Sequence, residues 1–312
     1  MLKISKKILV ISASLLLMGC GNNQTKDDEN SSIAICPFLT VKTQPIKTNY
    51  NCGNNFDPSG MVVEFTGSDG SKRIIDDYVL SNDKNVTADQ TSVTISYDNF
   101  ETKVRINVSD VLEGQITCVG DSLTEGHSWP TESYPNYIKG NFEDSSLMTV
   151  SNCGKNGASF KTFGQYNPAY NTTEQYQTSL TGNPVVLTIL LGTNDATNWT
   201  NEKDLYVQDY TDLVNTYRTT FGDQLNIIML TSPRCLSNAF GIPSDTICNE
   251  VVPLQKQLAD ELGCYLIDLN GEFEKYTDDE LFRPNDGVHF TKQAAEITAS
   301  LISCKIKEIY EL

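Results

Sequence analysis

The sequence predicts two folded regions of different class: a small all-β sandwich over residues 33–112 and an α/β domain with a parallel sheet over residues 113–312. In the first region, apolar and polar residues alternate in short runs separated by turns, which is the period of half-buried strands. In the second, short and nearly continuous apolar runs are separated by helix-length segments, as in sheets that are covered on both faces. A chain of 312 residues is long enough for about two domains.

The N-terminal segment has the layout of a secretory signal. Three lysines precede an uncharged apolar run over residues 8–18, and residues 17–20 read Leu-Met-Gly-Cys, which is similar to a bacterial lipobox. An ordinary signal peptide or a short buried helix is the alternative, but the stretch after Cys20 has no apolar residue and cannot order itself. We therefore expect a signal peptide over residues 1–19, then a lipidated Cys20 and flexible tether over residues 20–32.

The charge balance excludes one class of partner. The signal segment carries three lysines and no acidic residue, so its removal takes the net charge from -17 to -20. Such a surface repels nucleic acid and anionic membranes. We expect no nucleic-acid partner and a membrane contact only through the lipid on Cys20, which places the protein outside the cytoplasm, anchored to the bacterial membrane.

Eight cysteines remain once the lipobox cysteine is set aside. An even number outside the cytoplasm permits disulfides. Cys118, Cys153 and Cys264 lie in or beside apolar runs, where a free cysteine acts as a small buried hydrophobe. Cys235 and Cys248 flank a loop-like segment and are the best candidates for a bridge.

The first folded region shows strands and turns throughout. Residues 93–97 and 104–108 alternate, and Asp69-Gly70 lies between two apolar runs as a hairpin turn does. From Tyr50 to a closing strand over residues 102–108, the region resembles bacterial immunoglobulin-like domains. In extracytoplasmic bacterial proteins such modules are spacers or sugar and surface adhesion units, and the spacer is the simpler interpretation.

Five apolar runs are expected to form the parallel sheet of the second region. They are Ile116 to Val119, Leu147 to Val150, Val185 to Leu191, Leu225 to Leu230 and Tyr265 to Leu269. Between them, apolar side chains recur at helical spacing over residues 206–221 and 251–262. The aromatic residues in these stretches are expected to pack in the core.

Ser122 stands at the carboxyl end of the first of these strands, in the run Gly120 to Gly126. Functional groups in open α/β sheets collect at that edge. A serine there can equally serve as the N-cap of the next helix. A catalytic role for Ser122 therefore requires a base.

The chain has only two histidines, His127 and His289. Asp286 stands three residues before His289, just ahead of a helix expected to begin around Thr291. A serine hydroxyl becomes nucleophilic when a neutral imidazole takes its proton, and a carboxylate fixes the tautomer and stabilises the imidazolium. Ser122, His289 and Asp286 are therefore the candidate catalytic residues.

Other chemistries find little support. The run Gly120 to Thr124 lacks the second glycine of a G-x-S-x-G elbow. No H-E-x-x-H, no paired C-x-x-C and no phosphate- or dinucleotide-binding glycine motif occurs. With His289 assigned as a base, too few histidines remain for a catalytic zinc. We expect no metal and no cofactor.

Four motif blocks occur in order, and with them residues 115–292 resemble the SGNH (GDSL) hydrolase superfamily. The blocks are Gly120 to Gly126, Asn152 to Ala158, Gly192 to Asp195, and Asp286 to His289. The resemblance implies a three-layer α/β/α, flavodoxin-like domain, here preceded by the immunoglobulin-like sandwich. It also implies an ester hydrolase whose catalytic triad is Ser122, His289 and Asp286.

The resemblance further implies an oxyanion hole made of the backbone N–H groups of Ser122 and Gly157 and the side-chain amide of Asn194. Such donors stabilise the charge that develops on the carbonyl oxygen, and each is typically worth about 100- to 1,000-fold in rate. Gly154 is the alternative to Gly157, which is preferred by its position in the block. Asn194 could instead be only a turn former.

Four further residues near the motif blocks have two interpretations each. Asp121 and Asp195 are tempting as acids, but the resemblance makes them turn and hydrogen-bond supports. His127 either lines the mouth of the pocket or lies on a surface loop, and the surface loop is the simpler interpretation. Trp199 either forms a wall facing the sugar or acyl group or packs in the core, and packing is simpler.

These expectations describe an extracytoplasmic serine ester hydrolase acting on a small-molecule or polysaccharide ester. The anchor and the sandwich favour a carbohydrate O-deacetylase (acetylesterase). Lipase-like, lysophospholipase-like or thioesterase activity is the alternative, since one catalytic design serves many esters. A surface binding or adhesion lipoprotein with an inactive hydrolase fold is the alternative from another class. Because the base must be neutral, activity is expected to fall below about pH 6 to 7.

Overall fold

The computed structural model describes residues 36–161, 166–236 and 239–312. The predicted signal peptide, Cys20 and the tether lie outside these residues. Within the described ranges, no helix is both long enough and apolar enough to cross a membrane.

The described residues up to position 112 form strands and no helix. The strands are β1 (Phe38–Thr43), β2 (Asn49–Cys52), β3 (Val62–Thr66), β4 (Lys72–Ile75), β5 (Val79–Ser81), β6 (Ser92–Tyr97), β7 (Phe100–Arg105) and β8 (Asn107–Leu112). They pair as the antiparallel sheets β1-β3-β4 and β5-β6-β7 and as the parallel pair β2-β8. The predicted all-β class of this region is confirmed.

Alternating side chains from the antiparallel sheets fill one core. Val93 and Ile95 of β6 are fully buried, and Val93 lies directly opposite the buried Val104 of β7. On the other sheet, Val63 pairs with Ile75, and both are buried. Cross-strand pairs of branched side chains of this kind are what stabilises a small sandwich.

The stretch over residues 102–108, predicted as one closing strand, is two strands that meet at Ile106. The N–H of Ile106 donates to the carbonyl of Thr91 at 3.0 Å, and that of Asn107 donates to the carbonyl of Thr48 at 2.8 Å. The chain thus leaves its antiparallel partner β6 and joins β2 in parallel. The prediction was wrong because alternation continues across the change and carries no information about the partner strand.

The second region is built on a sheet that, in the described part of the chain, has five parallel strands. They are β9 (Gly114–Gly120), β10 (Met148–Gly154), β11 (Pro184–Leu190), β12 (Asn226–Leu230) and β13 (Tyr265–Ile267). Their order is β10-β9-β11-β12-β13, the flavodoxin-like order. The predicted α/β class is confirmed, and each predicted apolar run contains a strand, although the last strand ends at Ile267 and Leu269 already begins a helix.

Helices flank this sheet. They are α1 (Ser122–Glu125), α2 (Pro135–Ile138), α3 (Glu174–Ser179), α4 (Trp199–Phe221), α5 (Ser244–Thr246), α6 (Val252–Glu261), α7 (Leu269–Phe273), α8 (Asp278–Leu281) and α9 (Lys292–Tyr310). Helix α9 packs against α2, whereas α4 packs against α6. As predicted, Thr291 begins the last helix, because its hydroxyl caps the N–H of Ala294 at 3.1 Å.

The two regions touch near the amino ends of the parallel strands. The N–H of Ala88 donates to the carbonyl of Tyr310 at 3.1 Å, and the amide of Asn85 donates to the carbonyl of Gln224, just before β12, at 2.6 Å. Leu112 is buried in the same apolar cluster as the second region's core. The sandwich therefore supports the sheet from the edge opposite to Ser122.

The predicted bridge between Cys235 and Cys248 is absent. Both are free thiols, as are the other cysteines of the described chain. The Cys235 thiol donates to the carbonyl of Ile242 at 3.6 Å, whereas the sulfur of Cys248 accepts from the amide of Asn270 at 3.7 Å. Each thiol therefore has a hydrogen-bond partner of its own in place of a bridge.

Candidate active site

Ser122 lies in a tight strand-to-helix turn. Strand β9 ends at Gly120, and Ser122 is the first residue of the single-turn helix α1. Asp121 caps this helix by accepting from the N–H of Leu123 at 2.9 Å. The first N–H groups of a helix have no partner within it, and the cap serves Leu123, which leaves the N–H of Ser122 for a ligand.

The register of the sheet aligns the candidate residues. Gly120 of β9 lies opposite Gly154 of β10 and opposite Leu190 of β11, so the three neighbouring strands end together. The loops that follow them carry Ser122, Gly157 and Asn194. In this strand order the connections diverge between β9 and β11, and that divergence opens the crevice in which ligands of such sheets bind.

His289 and Asp286 come from the loop between α8 and α9. The Nδ1 atom of His289 lies 2.8 Å from Oδ2 and 3.0 Å from Oδ1 of Asp286. The carboxylate also accepts the backbone N–H groups of His289 at 2.7 Å and of Val288 at 3.0 Å. With Nδ1 held by the carboxylate, Nε2 of the neutral ring is the nitrogen able to accept a proton.

Electrostatics place both groups in the states that base catalysis needs. Burial lowers the pKa of His289, and the charges of His127 and Arg283 lower it further against the opposing effect of Asp286. Burial alone would raise the pKa of Asp286, but the hydrogen bonds from His289 and Val288 outweigh it and lower that pKa below its ordinary value. At neutral pH the imidazole is therefore uncharged and the carboxylate is ionised.

Asn194 is held by two acceptors. Its side-chain amide donates to the carbonyl of Ala158 at 2.9 Å and to Oδ2 of Asp121 at 3.3 Å. Burial raises the pKa of Asp121 to about 7, and the charge of the neighbouring Asp195 adds to the effect. Asp195 in turn accepts the N–H of Phe160 at 2.8 Å. Both carboxyls are fully buried and accept hydrogen bonds, which agrees with the supporting role that the resemblance implied.

Gly157 and Gly154 occupy different places. Gly157 has φ +74° on the cavity wall, and a Cβ there would collide with the backbone carbonyl of Tyr166. A Cβ on Gly154 would instead collide with the backbone of Glu125 in α1. Gly154 therefore lets β10 approach the nucleophile turn, and Gly157 presents backbone to a ligand.

One cavity of about 310 Å³ brings the candidate residues together. Its wall includes Ser122, His289, Gly157 and Asn194, with Asp286 behind the histidine. In the described residues, the hydrogen bonds of the His289 side chain go to Asp286; Ser122 lines the same cavity as the imidazole but forms no hydrogen bond with it. Catalytic hydrogen bonds often tighten only when substrate binds.

The simpler interpretation of His127 was wrong, and that of Trp199 was right. His127 lines the cavity, and its ring stacks on that of His289 with centroids 4.2 Å apart and planes at 12°. Because α1 is a single turn, a residue five positions after the nucleophile returns to the site. Trp199 packs against Tyr206 at 5.2 Å and donates its indole N–H to Glu250 at 2.9 Å.

Sequence reasoning missed the rim of the cavity. Tyr166 and Phe240 line it and are 78% and 67% exposed, and Asn156 and Asn167 line it as well. Tyr166, Asn167 and Phe240 lie outside the four motif blocks, and Phe240 comes from a loop more than 70 residues further along the chain, so no motif marked them. Asn156, by contrast, lies inside the block Asn152 to Ala158. Among the described residues, no group of three or more His, Cys, Asp or Glu side chains could hold a metal ion.

A parallel sheet in this order, with a serine, a histidine–aspartate pair and an amide at its carboxyl edge, defines an ester hydrolase of the α/β class. The chain belongs to the GDSL-like lipase/acylhydrolase family, whose model matches residues 118–297. Residues 43–108 match the bacterial Ig-like domain of group 3, so the sandwich is an immunoglobulin-like domain.

One curated relative is an acetylxylan esterase of Xylanibacter ruminicola. It is 23% identical to this chain over 214 residues, which are 62% of this chain and 43% of that protein. The chain therefore spans less than half the length of this relative.

Solved structures are also similar. A lipase/acylhydrolase from Enterococcus faecalis is 21% identical, with a TM-score of 0.48 over 63% of this chain and 96% of that one. A carbohydrate acetylesterase family member from Sinorhizobium meliloti is 18% identical, with a TM-score of 0.47 over 64% and 100%. A further structure, 14% identical, has a TM-score of 0.50 over 64% and 99% and shares the fold.

Proposed function

We propose that this protein is an extracytoplasmic, lipid-anchored carbohydrate O-deacetylase that acts through Ser122, His289 and Asp286. The observation that carries the proposal is the single cavity on whose wall a serine, an imidazole held by a carboxylate, a glycine backbone and an amide converge. Each is a group that acyl transfer requires.

In the acylation step, Nε2 of His289 takes the hydroxyl proton of Ser122 while Oγ attacks the ester carbonyl carbon. The imidazolium that forms keeps its Nδ1–H on Asp286, whose charge stabilises it. The carbonyl oxygen becomes an oxyanion that accepts from the N–H groups of Ser122 and Gly157 and from the amide of Asn194. The longer bond from that amide to Asp121, at 3.3 Å, is the one the oxyanion would displace.

Collapse of this intermediate breaks the carbon–oxygen bond to the alcohol, and His289 gives its proton to the leaving oxygen. The acyl group is then bound to Ser122 as an ester. Water attacks that ester while His289 takes a water proton, and the carboxylic acid leaves as Ser122 regains its hydrogen. No cofactor is needed for either half.

Several features support an acetylated carbohydrate as the substrate. The amides of Asn156 and Asn167 on the cavity wall suit sugar hydroxyls, and the exposed rings of Tyr166 and Phe240 suit sugar faces. A second gap beside Ser122 has about 10 Å³, roughly the room for one water, which leaves no space there for a long acyl chain. The curated relative bears the name of an acetylxylan esterase.

The cellular location is proposed from the sequence. The lipobox-like run ending at Cys20 and the polar stretch after it support a lipid anchor outside the cytoplasm. Fractionation of cells expressing Cys20→Ser tests this, because the variant should leave the membrane fraction. Equal membrane retention of the variant and the native chain would contradict the anchor.

Labelling with a fluorophosphonate probe tests the nucleophile. The native chain should be labelled and Ser122→Ala should not, while Ser151→Ala, a half-buried serine on the neighbouring strand β10, should be labelled like the native chain. Labelling of Ser122→Ala to the same extent as the native chain would contradict the assignment of Ser122 as the nucleophile.

A series of nitrophenyl esters of increasing chain length, together with acetylated xylan, tests the substrate. We expect the highest kcat/KM on acetate and release of acetic acid from the polysaccharide. A preference for long acyl chains would favour lipase-like or lysophospholipase-like activity, and thioester cleavage without ester cleavage would favour a thioesterase. Absence of both labelling and hydrolysis would favour a binding protein with an inactive hydrolase fold.

A further inference from the structure

His127 takes no part in the proposed acylation and deacylation steps, yet its ring contacts that of the base, His289. We propose that His127 is a positioning residue, whose ring fixes the plane of the His289 imidazole at the cavity wall. This rests on the proposed function, in which His289 is the base.

The geometry around the His289 ring shows what His127 adds. Asp286 holds one edge of the ring through Nδ1, with contacts of 2.8 and 3.0 Å. This contact alone would leave the imidazole free to tilt about the axis that joins the Asp286 carboxylate to Nδ1 of His289. The face-to-face contact with His127, at 4.2 Å and 12°, opposes that tilt, and the ring of Phe240 meets His289 at 5.6 Å and 75°. Only the edge bearing Nε2 is then left for Ser122.

His127 is itself held in place by its surroundings. Its backbone has φ +37°, in the left-handed region that non-glycine residues rarely adopt. The ring of Trp129 lies 6.4 Å from that of His127, and the guanidinium of Arg283 lies 3.8 Å from the centre of the Trp129 ring. Arg283 is anchored by an ion pair with Glu132 at 2.6 Å. Unusual backbone of this kind persists where neighbouring contacts over-determine it, and such positions cluster at functional sites.

Charge gives the stack a second effect. The titratable or charged groups that act on His289 are Asp286 and Arg283 on its own loop and His127 on the segment after α1, while Glu132 is paired with Arg283. Two stacked imidazoles cannot both be protonated without repulsion. Burial first, and then the charges of His127 and Arg283, lower the pKa of His289.

The sign of the pH effect follows. Catalysis needs neutral His289, so activity falls as pH drops through its pKa. Because that pKa is lowered, the acid limb of the native enzyme should lie below the ordinary imidazole value of about 6.5. Removal of the His127 charge raises the pKa of His289 and moves the limb to higher pH.

Two variants separate the ring from the charge. His127→Phe keeps an aromatic ring for stacking and removes the ring nitrogens. His127→Asn removes the ring but suits the left-handed backbone, where asparagine is enriched. Both are compared with the native chain in kcat, KM and the pH profile of kcat/KM on nitrophenyl acetate, with thermal unfolding to establish that each is folded.

We expect His127→Phe to keep kcat within about twofold of native and His127→Asn to lose roughly two- to tenfold, the range that one aromatic pair contributes. Both variants should move the acid limb to higher pH. Thr197→Val, which alters the cavity wall away from the imidazole stack, should leave that midpoint at the native value.

Native acid limbs in both His127 variants, or a native kcat in His127→Asn, would overturn the inference. Ser122→Ala keeps this outcome distinct from failure of the proposed function. If Ser122→Ala is inactive while both His127 variants behave as native, only the role of His127 is wrong. If Ser122→Ala hydrolyses the ester as well as the native chain, the proposed function itself is wrong.

Discussion

The immunoglobulin-like domain and the carboxyl edge of the parallel sheet bury different kinds of side chain. Among the described residues up to position 112, the buried polar side chains are Glu64 and Thr66, and Glu64 reaches Lys42 at 2.7 Å and Lys72 at 3.1 Å. At the carboxyl edge of the parallel sheet, Asp121, Asn194 and other polar groups are buried. Burial of a polar group costs free energy unless it is hydrogen-bonded. The interior of the sandwich is thus almost entirely apolar, whereas the carboxyl edge of the parallel sheet buries polar side chains that hold one another in place.

A buried amide shows how the edge is held. Gln255 on α6 donates to the carbonyl of Leu191 at 2.7 Å and accepts the N–H of Ser232 at 2.8 Å. These bonds tie the loops after β11 and β12 together, and the first of these loops carries Asn194. Fully satisfied buried networks of this kind make loops rigid. Polar burial therefore distinguishes the sheet edge that carries the candidate catalytic residues from the immunoglobulin-like domain.

The largest loss of activity is expected on substitution of Asp286. Asp286→Asn cannot hold Nδ1–H of His289 with a negative charge, so the imidazole loses its tautomer and its stabilising partner. We expect kcat/KM to fall by about 10⁴-fold, as for a triad aspartate, with little change in thermal unfolding. Measurement on nitrophenyl acetate checks this.

The matched control is Asp69→Asn, because Asp69 likewise accepts a nearby backbone N–H, from Ser71 at 2.9 Å, in the hairpin of the sandwich. It should keep native kcat/KM. A loss of less than tenfold in Asp286→Asn would contradict the prediction, since the hydrogen bond between Asp286 and His289 would then be no more important to activity than an exposed turn.

A smaller effect is expected at Asn194. Asn194→Ala removes one oxyanion donor, and kcat should fall by about 100- to 1,000-fold. KM should change little, because the charge on the carbonyl oxygen develops only in the transition state. Asn51→Ala, which removes an amide bonded to Glu113 at 2.8 Å beside the sandwich, is the control and should keep native kcat. A rise in KM at constant kcat would instead mean that Asn194 binds the ground state.

What the sequence could predict follows from local rules. Apolar runs predicted the strands of the parallel sheet. Thr291 predicted the start of the last helix, and Asp69-Gly70 predicted the turn between β3 and β4. Ser122 and Asn194 were expected at one edge because parallel strands end together, and the structure places them on one cavity. Each of these inferences needs only the residues nearby and the topology of the sheet.

What the sequence could not predict depends on contacts between distant loops. The change of partner at Ile106 is set by carbonyls of Thr91 and Thr48, which alternation does not encode. The stack of His127 on His289 joins segments more than 150 residues apart, and Phe240 reaches the same ring from a third loop. Side-chain packing across such distances has no local pattern from which it could be read.

The smallest effect on activity is expected from the sandwich core. Val104 in β7 and Val119 in β9 are both fully buried, so each valine-to-alanine change removes the same two methyl groups. Either variant should lose about 1–3 kcal/mol in the free energy of unfolding, measured with urea. Val104→Ala should keep native kcat per folded molecule. Val119→Ala lies next to Gly120 in the strand that places Ser122, so kcat should fall severalfold. Equal kcat losses in the two variants would show that the sandwich shapes the active site, and the contrast between the two regions would not hold.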